Sequence, residues 1–182
     1  MKISQLLAVI FIALVFPAAT LRAATAYELD RDGRLALRQL YIKNPKAKEI
    51  AYQATAVLVF PTVVKAGFIF GAQGGDGVLI SRGGTIGYYQ TSAVSYGLQG
   101  GAQKFGYALF FMNPKALSYL NKSGGWEVGV GPSIVVVDAG TAKSLSSTTL
   151  QKDIYAFFFS QKGLMAGLGL QGTKITAYTP SK

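Results

Sequence analysis

Followed as a pattern of apolar and polar positions, the chain changes its period twice. Leu6 to Phe16 (LLAVIFIALVF) is an unbroken apolar run, preceded by Met1-Lys2 and followed by Pro17 and small residues ending in Ala24-Thr25-Ala26. A positive start, a short apolar centre and a small-x-small finish form the pattern of a secretory signal. At ~1.5 Å per residue the run makes about 16 Å of helix, against a hydrocarbon core of roughly 30 Å, which argues against an uncleaved anchor. The expectation is a signal peptide over 1–26, cut before Tyr27, and one domain over 27–182.

From Tyr27 to Ile42 the period is helical. Leu29, Ala36, Leu37 and Leu40 share one face, and Arg31, Arg34 and Arg38 fall on another. Gly33 interrupts this helix at a cost of ~1 kcal/mol relative to Ala. Asn44-Pro45 stops it and starts a second: Asn caps well, and Pro at the first helical position loses no useful N–H. The second helix runs to about Ala54, with Ala47, Ile50, Ala51 and Ala54 inward and Lys46, Lys48 and Glu49 outward.

After Ala54 the period falls to two. Strands are predicted over Ala56–Phe60 (closed by Pro61), Ala66–Gln73, Gly77–Ser81, Ser92–Gly100, Phe105–Met112, Glu127–Val137, Ile154–Ser160, Leu164–Gly172 and Lys174–Tyr178. Gly74-Gly75-Asp76-Gly77, Gly83-Gly84, Gly124-Gly125 and Lys162-Gly163 read as turns, Pro114–Leu120 as a short helix capped by Asn113, and Thr141–Thr149 as a Ser/Thr-rich loop. All but one of the 22 glycines lie between Gly67 and Gly172, inside strands as well as turns. Glycine within a strand marks a bulge, a bend or close backbone approach, so the sheet should be strongly curved. Phe157-Phe158-Phe159 would be an aggregation hazard on an open edge, which predicts an interior strand covered on both faces. The fold class is thus α+β: N-terminal helices packed on a strongly curved, mostly antiparallel β-sheet or closed β-barrel of about eight strands. A transmembrane barrel fits less well, because its strands need ~9–11 residues and several here are shorter.

Composition narrows the chemistry. The 182 residues include 18 Lys plus Arg, 8 Asp plus Glu, and neither Cys nor His, for a formal charge of +10. Without Cys there is no disulfide, thiolate nucleophile or lipidated cysteine; without His there is no imidazole base. Gly167-Leu168-Gly169-Leu170-Gln171-Gly172 fits G-x-G-x-x-G but has neither a following helix nor the acidic residue that dinucleotide binding requires. The β region offers Asp76, Glu127, Asp138 and Asp153, scattered along the chain, which is a poor basis for acid–base work or a metal site. Neither an enzyme nor a cofactor is expected.

The cations are the stronger signal. Arg31, Arg34, Arg38, Lys43, Lys46 and Lys48 crowd the two helices, partly offset by Glu28, Asp30, Asp32 and Glu49. Such a face is either a solvated surface or a contact for anionic lipid, each nearby cation then contributing roughly 1 kcal/mol. No nucleic-acid recognition motif accompanies it.

Several blocks, taken in order, resemble the SYLF domain from about Ala51 to Tyr178. They are Val57-Leu58-Val59-Phe60-Pro61, Lys65-Ala66-Gly67-Phe68-Ile69-Phe70-Gly71, Gly75-Asp76-Gly77-Val78-Leu79, Gly97-Leu98-Gln99-Gly100-Gly101, Gly129-Val130-Gly131-Pro132 and Tyr155–Gly167. One departure is Gly87-Tyr88-Tyr89-Gln90, where family members commonly carry a Trp and a Pro. The resemblance implies a non-enzymatic module that engages phospholipid headgroups, with Lys65 joining the six helical cations as a candidate. Eukaryotic relatives also bind actin filaments, an activity not expected of an exported protein. The expected function is peripheral binding of anionic phospholipid in the periplasm or cell envelope. The alternative is a structural or protein-interaction domain of the envelope.

Overall fold

A computed structural model describes residues 24–67, 70–96, 101–138, 145, 150–163 and 169–181. Most of the expected signal peptide, nearly all of the Ser/Thr-rich loop and residues 164–168 of one expected strand lie outside the described residues. Helix α1 (Ala26–Lys43) opens on a capping box: the Thr25 hydroxyl accepts from Glu28 N at 3.2 Å, and the Glu28 carboxylate accepts from Thr25 N at 2.9 Å. A single parallel bridge joins Thr25 to Ser181, with Ala26 N donating to Ser181 O at 3.1 Å. Helix α2 (Pro45–Gln53) starts as expected, Asn44 accepting from Ala47 N at 3.3 Å with Pro45 in the first turn. No helix among the described residues is long and apolar enough to cross a membrane.

Eight strands follow: β1 (Ala56–Gly67), β2 (Phe70–Ser81), β3 (Gly84–Tyr96), β4 (Gly101–Phe111), β5 (Trp126–Glu127), β6 (Ile134–Val136), β7 (Ile154–Gly163) and β8 (Lys174–Ala177). Between β4 and β5 lie α3 (Pro114–Leu117) and a 3-10 turn over Ser118–Asn121. The strands form one sheet in the order β5-β8-β3-β2-β1-β4-β7-β6, antiparallel except for β6 beside β7. The sheet is α+β in context and strongly curled, but it is an open half-barrel: β5 and β6 are its two edges, so the closed-barrel alternative does not hold.

Alternation along β1 feeds two cores. Leu58, Phe60 and Val63 join an inner cluster that reaches Ile175 on β8, Ile154 on β7, Trp126 and Leu120. Strands so far apart in the sheet can share one cluster only because the sheet curls around it. Val57 and Val59 face outward, where Leu37, Leu40, Ala47 and Ile50 cover them together with Phe110, Tyr155 and Phe157. Gly33 is buried where α1 crosses the sheet: a Cβ there would sit 2.3 Å from Val78 Cγ1 and 3.2 Å from Val59 Cγ1. The interior position expected of the triple phenylalanine is found in part: β6 pairs with Ile154–Ala156, so among the described residues Phe157, Phe158 and Phe159 are paired on the β4 side alone, with Phe157 buried and the other two half-buried. Strand β7 lies between β4 and β6, Phe157 packs on Phe110 at 5.2 Å between ring centroids, and Phe158 packs on Phe105 and Tyr107 at 5.8 Å each.

Punctuation residues misled the strand boundaries. Pro61 does not end β1, because the register slips between Phe60 and Val63 and the irregularity accommodates a residue without an N–H. The expected strand Ala66–Gln73 is instead divided between the end of β1 and the start of β2, which pair antiparallel. Gly74–Gly77 is not a turn but the middle of β2. Its glycines admit neighbours: a Cβ at Gly75 would lie 2.4 Å from Thr62 O, and one at Gly77 2.5 Å from the Phe60 ring. Lys162-Gly163 likewise belongs to β7. Glu127–Val137 breaks into β5 and β6, on opposite edges, because Gly129 and Gly131 adopt φ of 105° and 97°. Gly169–Gly172 forms no strand.

Candidate functional site

The basic residues become a site only where α1 and α2 lean over the start of the sheet. Arg34 and Arg38, four residues apart on α1, project along the same side as Leu37, Tyr41 and Ile42. Lys48 faces them from α2, and Ile80 of β2 closes the floor. Together they enclose an outer recess of about 640 Å³. An inner recess of about 300 Å³ continues from it, sharing Leu37, Tyr41, Lys48 and Ile80 and reaching Ala54, Val57 and Arg82. The combined groove has an apolar floor and a rim of four cations, and no Asp or Glu lines either recess.

The cations are held to different degrees. Arg82 Nη2 donates to Tyr52 O at 2.8 Å, fixing the guanidinium against the end of α2. Arg34 Nη2 donates to Thr85 Oγ1 at 3.4 Å, and the Thr85 hydroxyl donates to Asp30 Oδ1 at 2.8 Å, so part of its charge is answered. Arg38 and Lys48 are exposed and make no hydrogen bond or ion pair among the described residues. Tyr41, on the floor, rests against Phe110 at 6.4 Å between ring centroids. Burial, with a smaller contribution from Tyr52, pushes its pKa up to about 12, so it remains a neutral phenol at physiological pH. The arrangement can hold an amphiphile with an anionic end. No group of metal-binding side chains occurs among the described residues.

Three of the seven expected binding residues meet here: Arg34, Arg38 and Lys48. Arg31 does not; its Nε is bonded to Asp32 Oδ1 at 2.9 Å, and that bond raises its pKa. Lys46 is paired with Glu49. Lys43 stands at the far end of α1, in a recess shared with Phe159 and Ser160 of β7. Lys65 lies on β1 between Gln73 and Gln103, remote from the helices. Arg82 was missed by the sequence reading. Its local signal is only a cation next to Gly83-Gly84, and nothing short of α2 packing against the β2–β3 turn brings it to the groove. The four carboxylates of the β region stay apart. Asp76 in mid β2 accepts from Gln90 Nε2 at 3.0 Å, whereas Asp153 is clasped by Asn113 and Ser133.

A family model described as Ysc84, Las17-binding protein actin regulator, matches residues 92–180, from the second half of β3 to beyond β8. No curated protein matches the chain. The groove cations all precede the matched segment, which instead holds β4, β7 and the blocks Gly97–Gly101, Gly129–Pro132 and Tyr155–Gly167. Residues 92–180 are thus similar to the Ysc84 family, in agreement with the SYLF resemblance read from the sequence.

Proposed function

We propose that the protein binds anionic phospholipid without catalysing a reaction, as a peripheral component of the cell envelope. The groove between α1, α2 and β2 takes part of one lipid: the headgroup phosphate at Arg34, Arg38, Lys48 and Arg82, and apolar substance against Leu37, Tyr41 and Ile80. The observation that carries this reading is a rim of four cations around an apolar floor, with no acid among the lining residues. A merely solvated basic face would interleave its charges with carboxylates, as Arg31–Asp32 and Lys46–Glu49 do on the same helices. Actin regulation, named in the family description, is not carried over, since the expected export would separate the protein from actin.

Co-sedimentation with phosphatidylglycerol-containing vesicles, compared with phosphatidylcholine alone, tests the proposal. Binding should rise with anionic content and weaken with salt. Exchanging Arg34, Arg38, Lys48 and Arg82 for Glu together should reduce it by a factor of at least about 100, given roughly 1 kcal/mol per cation. Undiminished binding by that variant would falsify the site.

A further inference from the structure

The outer face of the sheet continues beyond α1, and there none of the described helices covers it. Val63 and Phe105 turn into the inner cluster, so their neighbours Val64 and Lys104 point outward. Across the strands, Gly74, Val64, Lys104 and Lys162 stand in one row, and Val94, Ala72, Ala66 and Ala102 in the next. Val94 is 90% exposed, Phe70 75% and Val64 50%. Such side chains are ordinarily found singly on a surface; here they share one face at one end of the sheet.

The second observation is electrostatic. Lys104 on β4 and Lys162 on β7 are direct cross-strand partners, both exposed. Like charges in that relation destabilise a sheet, and neither lysine has an acidic neighbour on these strand segments. Lys43, beside Ser160, extends the basic row toward α1. Asp76 of β2 lies two strands away from Lys104 and accepts from Gln90 Nε2. An anion seated between Lys104 and Lys162 would relieve their repulsion. An open apolar surface flanked by a cation pair suits a bilayer interface.

We propose that this face is a second membrane contact, in which Lys104 and Lys162 hold the phosphate of an anionic phospholipid while Phe70, Val94 and Val64 enter the interfacial layer. The proposal rests on the phospholipid-binding reading above but uses residues outside the groove. It is tested on the full chain with phosphatidylglycerol-containing vesicles. Lys104→Glu with Lys162→Glu should weaken binding roughly tenfold or more. Lys104→Ala with Lys162→Ala should also weaken it, while leaving the thermal midpoint unchanged or raised. A Phe70→Trp reporter should shift its emission to the blue on vesicle addition and be quenched by brominated acyl chains. Vesicle binding by the unaltered chain and by Lys104→Glu/Lys162→Glu alike, with a silent reporter, overturns this contact and leaves the groove standing. Loss of binding in the Lys104/Lys162 variants but not in the groove variant supports this contact and removes the groove. Failure of the unaltered chain to bind any anionic vesicle removes both. Inorganic phosphate at matched ionic strength should not displace the protein from vesicles; displacement would assign the cation pair to a free anion and overturn the membrane contact.

Discussion

On one side of α1 the outer face carries Val57, Val59, Val78 and Phe110, roofed by Leu37, Leu40 and Ile50; on the other it carries Val64, Ala66, Ala72 and Val94, all exposed and roofed by none of the described helices. The same strands run through both halves. The difference lies in side-chain volume and in where the cations sit. Under the helices, large residues are buried and charge is pushed to a rim around a groove. Beyond them, small residues keep the face low and two lysines are placed opposite one another. A sheet can therefore use one continuous surface as core for half its length and as contact surface for the rest.

Substitutions on matched positions should break this comparison if it is wrong. The largest expected effect is at Phe110, fully buried between Tyr41 and Phe157: Phe110→Ala should cost about 3–5 kcal/mol in urea denaturation. Val94→Ala, on the open half, should stay within about 0.5 kcal/mol. Comparable losses at both positions would mean that the open half is in fact covered. Next comes Gly33→Val, which drives a branched side chain into Val78 and should destabilise by about 1–3 kcal/mol, read as a lower denaturation midpoint. Gly74→Ala is its counterpart on the open half. Its Cβ would meet nothing nearer than Thr91 O at 3.7 Å, so the midpoint should scarcely move.

The smallest effect concerns acid. Asp153 accepts from Asn113 Nδ2, Ser133 N and Ser133 Oγ, at 2.9, 2.9 and 2.8 Å, and these bonds hold its carboxyl below the usual range, the Asn113 bond most. A depressed folded-state pKa gives stability that is present above the unfolded value near pH ~3.9 and lost as the pH falls through the folded one. Acid unfolding should therefore be less steep in Asp153→Asn than in the unaltered protein. An identical acid limb in the two would show that the clasp contributes nothing measurable.

Local chemistry made the helices legible: Asn44-Pro45 is both a stop and a cap, and Leu37, Leu40, Ala47 and Ile50 announce their buried faces. Strand existence was legible from alternation, but strand ends were not. Pro61, Gly75 and Gly77 look like punctuation, yet their roles are set by a partner strand or by the Phe60 ring, which no local reading contains. Gly33 was legible only as a weak point in a helix; the reason for it is Val78, distant in sequence. The candidate site divides in the same way. Arg34 and Arg38 could be read from helical spacing, and Lys48 from the outward side of α2. Neutralisation of Arg31 by its neighbour Asp32 was within reach, but Arg82 and the facing of Lys104 by Lys162 depend on tertiary placement and strand register.

The clasp at the beginning of α1 bears on how the chain can be trimmed. Thr25 supplies the cap and Ala26 the bond to Ser181, so a peptide chain that began at Tyr27 would lack both. Loss of such a cap alone typically costs about 0.5–2 kcal/mol, and the terminal strand-like segment near Ser181 would lose its neighbour as well. A cut upstream of Thr25 leaves α1 fastened to the far end of the chain, closing the molecule into a ring secured by hydrogen bonds. The position of a proteolytic cut two or three residues either way thus decides whether the first helix is anchored at its origin or free to fray.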